Sequence, residues 1–363
     1  MGLEIDFLSV GDSEKSGDAI ALRWGNLDGP RGEQMVVIVD GGFADDGQAL
    51  VDHLATHYNT ARADIVIATH PDQDHVNGLK VVLNSIAVGQ LCMHRPWNRS
   101  NEVLLAKTSG FNATTWSQKF AKNFEAASEL EAIANQKGIE IIEPWAGAST
   151  PDGVLTILSP TEAYYQQLLG EITKQQSSLA ALLGQLTGAA GTAVNKAAEK
   201  LVPEDWLAET LTDWGETSPQ NNTSVICLLQ YDGHTALLTA DAGMPALEMA
   251  ADTLEQMGLA PGKLDFVQVP HHGSRRNVGP TVLDRILGPK GQTQRIGTAF
   301  VSASPKAEKH PAKKVTNAFL RRGYPVHGAD GEHKRHHHKA PPRGGYSTST
   351  PHAMHSQVED DEG

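Results

Sequence analysis

The stretch ATHPDQDHVNG, residues 68–78, places four metal-binding side chains within six positions, at His70, Asp72, Asp74 and His75. The residues before it are apolar and β-prone, and GLKVVLNSI after it has helical spacing, so the quartet occupies a strand-to-helix turn. Imidazole and carboxylate together bind Zn, Mn and Fe. A polar turn with an aspartate helix cap is the alternative, but four spaced ligands favour a metal site.

Two later strands end in side chains of the same kind. ALLTADAG ends in Asp241, and DFVQVPHHGS ends in His271 and His272. Each motif alone is weak, because an aspartate at a strand end is more often a turn residue than a ligand. Strand ends on one side of a sheet can meet in space, so the three segments together predict a dinuclear metal centre.

Composition describes a globular chain without an obvious membrane segment. The 363 residues are 39% hydrophobic and 20% charged, and the net charge of −13 weighs against a general nucleic-acid coat. Cys92 and Cys227 lie in apolar surroundings and indicate reduced thiols. We find no secretory signal pattern and no apolar run of about 18 residues. A cytoplasmic location without membrane contact is therefore expected.

Strand and helix signals alternate along most of the chain, which predicts an α/β fold with sheets covered by helices. Residues 95–220 depart from this pattern, because they read as long amphipathic helices interrupted by glycine and alanine. We predict that this range is largely a helical insertion or lid. Residues 329–363 have few large apolar residues, are rich in histidine and end in an acidic run, so they are predicted to be disordered.

The motifs, taken in order, resemble the metallo-β-lactamase fold, and within it the soluble domain of the DNA-uptake protein ComEC/Rec2 and its free-standing relatives. The segments that carry the resemblance are FLSVGDSEKSGDAIAL, VIVDGG, THPDQDH, NNTSVICLLQYDGHTALLTADAG, VPHHGS and KHPAKKVTNAFLRRGYPVH. The resemblance implies one hydrolase domain over residues 1–328, built as a four-layer αββα metallo-β-lactamase sandwich with a helical insertion.

The resemblance also implies two divalent ions, Zn or Mn, that share one bridging carboxylate. The ligands would be His70, Asp72 and Asp241 for the first ion, and Asp74, His75, Asp241 and His271 for the second. Asn222 lies near the place where the family's commonest pattern has a further histidine. We prefer His271 over His272 as the ligand because it directly continues the strand. His272 would then face the substrate or support a ligand.

Two ions on one fixed carboxylate activate a bridging water as hydroxide, and Asp74 would accept a proton or orient that hydroxide. The resemblance suggests a phosphodiesterase or nuclease, and Arg275 and Arg276 after the histidine pair could neutralise phosphate. A second basic group near His310 is either a phosphate clamp or a solvated helix face; it comprises Lys306, Lys309, Lys313, Lys314, Arg321 and Arg322. His310 and His94 are further candidates for lining the cleft.

Three functions remain open at this level. The acidic total favours a small or single-stranded phosphodiester over long duplex nucleic acid. The second candidate is a small-molecule hydrolase acting on an ester or lactone, because fold alone does not select the substrate. The third is a non-catalytic module that binds a partner through the insertion and tail, against which the intact ligand set argues. The natural substrate, the metal and the oligomeric state do not follow from the sequence.

Overall fold

The computed structural model describes residues 1–11, 14–99, 118, 121–122, 124–186 and 200–360. Two β-sheets face each other in these ranges. The first sheet has the strand order β14-β1-β2-β3-β4-β5-β6, and the second has the order β13-β12-β11-β10-β9-β7. A short two-stranded ribbon pairs β8 with β15. In the first sheet, β1 from the start of the chain pairs with β14 from near its end.

The first sheet is antiparallel at one end and parallel at the other. Strands β14, β1, β2 and β3 pair antiparallel, whereas β3, β4, β5 and β6 run parallel. Its strands are β1 (Gly2–Phe7), β2 (Ala19–Gly25), β3 (Gln34–Gly41), β4 (Arg62–Ile67), β5 (Ala87–Cys92), β6 (Glu140–Ile142) and β14 (Lys334–His338).

The second sheet repeats this mixed arrangement. Strand β9 pairs antiparallel with both β7 and β10, and β10 to β13 run parallel. Its strands are β7 (Leu155–Ser159), β9 (Ile226–Tyr231), β10 (His234–Leu238), β11 (Phe266–Gln268), β12 (Thr298–Val301) and β13 (Val326–Gly328). The ribbon strands are β8 (Leu201–Pro203) and β15 (Gln357–Glu359).

Helices cover the outer face of each sheet. The helices are α1 (Ala44–His57), α2 (Gln73–Ser85), α3 (Glu125–Lys137), α4 (Glu162–Leu186), α5 (Met244–Gln256), α6 (Pro280–Leu287) and α7 (Lys313–Arg321). Side chains of α1, α2 and α3 share one core with the first sheet, and those of α5, α6 and α7 share another with the second. A third core lies between the sheets, where Phe7, Phe266 and Phe300 meet edge to face. The prediction of a four-layer αββα sandwich is confirmed.

The expectation that residues 329–363 are disordered is wrong for the described part of this range. Strand β14 pairs antiparallel with β1 along its whole length, and β15 pairs with β8. The stabilisation is ionic rather than apolar, because Arg335 and Arg343 bind the buried carboxylates of Glu4 and Asp6 on β1. A rule based on apolar content could not detect this docking.

The range 95–220 contains more of the sandwich than a helical insertion would. Strands β6 and β7 form the outer edge of each sheet, and α3 packs Leu130 and Ala134 into the outer core of the first sheet. The Ala/Gly-rich part of the predicted insertion lies mostly in residues 187–199, outside the described residues. Over the ranges given above, the model holds no helix of the length and apolar character needed to span a membrane.

Candidate metal centre

Asp241 lies where the two sheets meet, and each of its carboxylate oxygens faces two histidines. Its Oδ2 is 3.7 Å from Nε2 of His70 and 3.5 Å from Nε2 of His271. Its Oδ1 is 3.5 Å from Nε2 of His75 and 3.8 Å from Nε2 of His272. Each oxygen therefore has one histidine from the first sheet and one from the second.

Strand termini explain this convergence. His70 and His75 follow the C-terminal end of β4, Asp241 follows β10, and the His271–His272 pair follows β11. Parallel strands present their C-terminal ends at one edge, which is where open α/β sheets bind ligands. The three motifs that the sequence singled out are thus brought to one place.

The two remaining aspartates of the quartet lie on opposite sides of Asp241. Oδ2 of Asp72 is 3.8 Å from Nε2 of His70, and Oδ2 of Asp74 is 4.0 Å from Nε2 of His272. Two groups that bind one ion at about 2.1 Å in near-tetrahedral geometry lie roughly 3.4 Å apart. The spacings around Asp241 are close to that value and too long for good hydrogen bonds. Asp74, His75 and His272 present ligand atoms within 4.8 Å of one another, whereas the contacts on the Oδ2 side are pairwise.

Buried nitrogen atoms without partners show that these residues fit metal ions. Nε2 of His70, His75 and His272 is buried and has no hydrogen-bond partner, and neither has Oδ1 of Asp241. The other ring nitrogen of each histidine is held by an acceptor, as is usual for metal ligands. Those contacts are His70 to Thr69 Oγ1 at 3.0 Å, His75 to Asp40 at 2.8 Å and His272 to the Ser302 carbonyl at 2.9 Å.

His271 is oriented in the same way. Its Nδ1 lies 2.9 Å from the amide oxygen of Asn277, whose own NH2 group donates to the carbonyl of Asp241. Nδ2 of Asn221 lies at the same distance from that ring nitrogen. When Nδ1 carries the ring hydrogen it donates to Asn277, and Nε2 is then the unprotonated nitrogen on the side of Asp241. Neither asparagine was among the site residues predicted from the sequence.

The loops that carry the ligands adopt left-handed backbone conformations. Asp40, Ala240, His271 and His272 have φ between 45° and 56° although none is glycine. Such residues cost of order 1 kcal/mol or more each and persist where surrounding contacts hold them. The strain is concentrated in the segments that aim side chains at the centre.

Burial and neighbouring charges shift the pKa values of the groups in the centre in different directions. Burial opposes ionisation of Asp241, but His271, His75 and His272 together hold its pKa well below the usual range. Burial, reinforced by His75, lowers the pKa of His70 to about 4. Burial, reinforced by Asp241 and Asp74 against the opposing effect of His75, raises the pKa of Asp72 to about 6. A neutral His70 and an ionised Asp241 suit metal binding. For His75 the effect of burial is outweighed by Asp241 and Asp40, which raise its pKa well above the usual range, so His75 would release a proton when an ion binds.

The structure places both adjacent histidines beside Asp241, one at each carboxylate oxygen. His272, not His271, lies with Asp74 and His75 in one cluster of ligand atoms. His271 takes the other side of Asp241, next to His70. Because both residues have positive φ, the backbone turns sharply and sends successive side chains to opposite oxygens. His272 is therefore a candidate ligand beside His271, and the choice of a single histidine from this pair stays a prediction.

The predicted substrate-binding residues have mixed positions. Oδ1 of Asn222 accepts a hydrogen bond from the backbone of Gly243, so its side chain holds the loop after Asp241. His310 stacks near His271, with ring centroids 6.2 Å apart. Arg275 is half-buried and Arg276 exposed, directly after the histidine loop. His94 is buried between Trp145 and Tyr165, in an aromatic cluster that is separate from the loops after β4, β10 and β11.

The second basic group is neither a phosphate clamp nor a solvated helix face over most of its length. Arg321 and Arg322 are fully buried and paired with Glu204 and Glu209. Lys314 is buried as well. Their partners lie more than a hundred positions earlier, which no local pattern reveals. Lys306 and Lys309, beside His310, are exposed.

Neither a family model nor a curated protein matches this sequence. The solved structures that it resembles include the metallo-β-lactamase fold protein YhfI from Bacillus subtilis, at 9% identity and a TM-score of 0.40 over 93% of this chain and 100% of that one. A diphosphatase from the PhnP family shows 10% identity and a TM-score of 0.40 over 93% and 98%. The long form of RNase Z from yeast shows 10% and 0.33 over 85% and 38%. The chain is an αββα sandwich, and the proteins to which it is similar in structure include ones with the metallo-β-lactamase fold.

Proposed function

We propose that the protein is a metal-dependent hydrolase that holds two divalent ions on either side of Asp241. The observation that carries the proposal is the pairing of each oxygen of this carboxylate with one histidine from each sheet. Asp72 would complete the set on the Oδ2 side, and Asp74 would complete it on the Oδ1 side. When bound, two such ions generate hydroxide from water at neutral pH and polarise the bond that is cleaved.

The chain's own residues would orient water and substrate. Asp74 is partly exposed, with about a third of its side chain accessible, whereas Asp241 is buried. We therefore assign to Asp74 the acceptance of a proton from the attacking water, since a general base must lie within hydrogen-bond reach of that water and Asp74 is open to it. His310 lies at the edge of the centre, where burial and the neighbouring His272 and His271 lower its pKa to about 4. It would contact substrate as a neutral imidazole.

The donor set supports Mn²⁺ beside Zn²⁺. Besides the four histidines, the proposed ligands are the carboxylates of Asp72, Asp74 and Asp241, and those of Asp18 and Asp40 lie beside them. Carboxylate oxygens are harder ligands than imidazole or thiolate and suit Mn²⁺, whereas Zn²⁺ accepts both oxygen and nitrogen. The described cysteines, Cys92 and Cys227, belong to the core between the sheets and contribute nothing here.

A phosphodiester is the substrate class that the charges near the centre favour. Arg276 is exposed directly after the histidine loop, and Lys306 and Lys309 are exposed beside His310. The sequence resemblance to the ComEC-like group supports the same class. With Arg321 and Arg322 buried in ion pairs, the basic group near His310 offers fewer exposed cations to a long duplex, so we propose a small or single-stranded phosphodiester.

Metal analysis followed by two substrates tests the proposal. The purified protein should contain close to two ions per chain and should hydrolyse bis-(p-nitrophenyl) phosphate faster than an acyl ester. A protein saturated at one ion or none would contradict the two-metal proposal. Turnover of the acyl ester alone would favour the small-molecule ester or lactone hydrolase instead.

A further inference from the structure

A buried side chain on the second sheet holds both ligand loops of that sheet. Gln268 is the last residue of β11 and is 2% exposed. Its Oε1 accepts hydrogen bonds from the backbone N–H of Thr239 at 2.9 Å and of Ala240 at 3.0 Å. Ala240 precedes Asp241 and is one of the left-handed residues, with φ of 45°. Gln268 thus stabilises the strained peptide that aims the central carboxylate.

The same peptide is tied to the histidine loop. The carbonyl of Ala240 accepts a hydrogen bond from the backbone N–H of His271 at 3.0 Å. A displacement of Ala240 would therefore move the ligand loop after β10 and the ligand loop after β11 together. Gln268 controls the position of Asp241, His271 and His272 through this connection.

The other end of the Gln268 side chain crosses to the first sheet. Its Nε2 donates to Oδ2 of Asp18 at 2.9 Å. Asp18 immediately precedes β2, is 1% exposed, and accepts a hydrogen bond from the backbone N–H of Gly42 on its own carbonyl. It also lies beside the centre, because its carboxylate, His75 and Asp241 present ligand atoms within 4.8 Å of one another.

We propose that the Asp18–Gln268 hydrogen bond sets the separation between the ligands of the two sheets, and that both residues are positioning residues of the metal centre. His70, Asp72, Asp74 and His75 belong to the first sheet, and the other ligands belong to the second. The inference rests on the proposed function. It adds that the centre depends on a buried hydrogen bond between the two sheets.

The orientation of the Gln268 amide provides a sharp test. Because Oε1 receives two N–H groups, the NH2 group must face the Asp18 carboxylate. Gln268→Glu keeps the oxygen that accepts from Thr239 and Ala240. It replaces the NH2 group with a second carboxylate oxygen, which faces the carboxylate of Asp18 and repels it. Adding Asp18→Asn restores the hydrogen bond in the reverse direction, because the new amide at position 18 can donate to the new carboxylate at position 268. The double variant has the same total charge as the unmodified protein.

We expect Gln268→Glu to weaken metal affinity by about 10–100-fold, the usual effect of losing a contact that supports a ligand. The double variant Asp18→Asn/Gln268→Glu should return to within about two- to threefold of the unmodified protein. Affinity is measured by chelator competition with metal-free protein, whose circular dichroism and melting temperature report on folding. At saturating metal, Gln268→Glu should lower kcat more than it raises KM.

Two controls separate this result from a general loss of stability. Gln230→Glu makes the same change at an exposed position of β9 and should leave metal affinity unchanged. Asp18→Asn/Gln268→Leu removes the donor–acceptor pair and should not be rescued. A Gln268→Glu variant that binds metal normally, or a double variant as weak as Gln268→Glu, would overturn the inference while the two-metal proposal stands. An unmodified protein that binds fewer than two ions would overturn both.

Discussion

Oδ2 of Asp40 lies 2.8 Å from Nδ1 of His75, and the same oxygen accepts the hydroxyl hydrogen of Thr69 at 2.6 Å. Since Thr69 in turn accepts from Nδ1 of His70, one buried carboxylate at the end of β3 orients both histidines that follow β4. Asp40 stands in the VIVDGG motif but was not predicted as a site residue. Its position next to the β4 strand end was the signal available in the sequence.

Replacement of Asp40 should weaken metal binding without removing a ligand. Asp40→Ala leaves His70 and His75 in place but frees their rings to rotate, so we expect affinity to fall by about 10–100-fold. Isothermal titration of metal-free protein measures this change. Asp45→Ala, at an exposed position of α1, is the matched control and should bind as the unmodified protein does.

The two sides of Asp241 predict a pattern in paired substitutions. His70→Ala with His271→Ala damages one side only, so about one ion per chain should remain; His70→Ala with His272→Ala damages both sides and should leave almost none. Asp241→Ala alone should also affect both ions, because each of its oxygens serves one side. Elemental analysis after dialysis counts the ions. Equal metal content in the two double variants would contradict the assignment of His271 and His272 to opposite sides.

The arginines after the histidine loop distinguish the substrate classes. A charge-assisted contact contributes on the order of 1.5–3 kcal/mol, and ~1.4 kcal/mol is a factor of ten in rate. Arg275→Ala/Arg276→Ala should therefore lower phosphodiester turnover more than tenfold and leave turnover of a neutral ester nearly unchanged. Arg285→Ala, on the outer helix α6, is the control for loss of a cation. Equal loss of both activities would show that the arginines hold the loop instead.

The C-terminal segment should be required for stability. Truncation after Gly328 removes Arg335 and Arg343, which leaves Glu4 paired with Arg23 alone and Asp6 paired with His53 alone. Loss of one partner of a buried pair costs about 3–5 kcal/mol, so we expect the truncated chain to unfold at a much lower temperature. Arg343→Met keeps the segment and should still reduce the free energy of unfolding by about 3 kcal/mol. The melting temperature and urea unfolding measure these effects. Values equal to those of the unmodified protein in both variants would contradict the docking of the C-terminal segment.

Acid should weaken the same attachment. Burial raises the pKa of Asp6, but His53 and Arg343 lower it by more, so that the pKa is about 2, below the usual value of an aspartate. A depressed folded-state pKa stabilises the protein above the unfolded value, and this contribution is lost as pH falls from about 4 to 2. The shift corresponds to about 2 kcal/mol. The difference in free energy of unfolding between the unmodified protein and Asp6→Asn, measured by urea at pH 5 and pH 3, should shrink in acid.

Local patterns predicted the ligand turn and sheets covered by helices, because both depend on residues close in the sequence, whereas the four-layer order was implied by the family resemblance. The quartet from His70 to His75 needs only β4 and α2, and alternating strands and helices specify the covered sheets. Contacts between distant segments escaped prediction for the same reason. Glu204 lies more than a hundred positions from Arg321, and Asp18 is 250 positions from Gln268. Whether the KRHHH segment of β14 folds likewise depends on carboxylates at the other end of the chain.

Strand β14 also decides what the first sheet presents to other molecules. It covers β1, whose fully buried residues Leu3, Ile5 and Phe7 alternate with the carboxylates. An open strand edge with such a pattern is a template for pairing with another chain, and lysine and other charged side chains on an edge strand discourage that pairing. The outermost strand is instead KRHHH, rich in cationic and titratable groups. Its composition, which argued against any folding, suits it to keep the sheet from recruiting strands of neighbouring molecules.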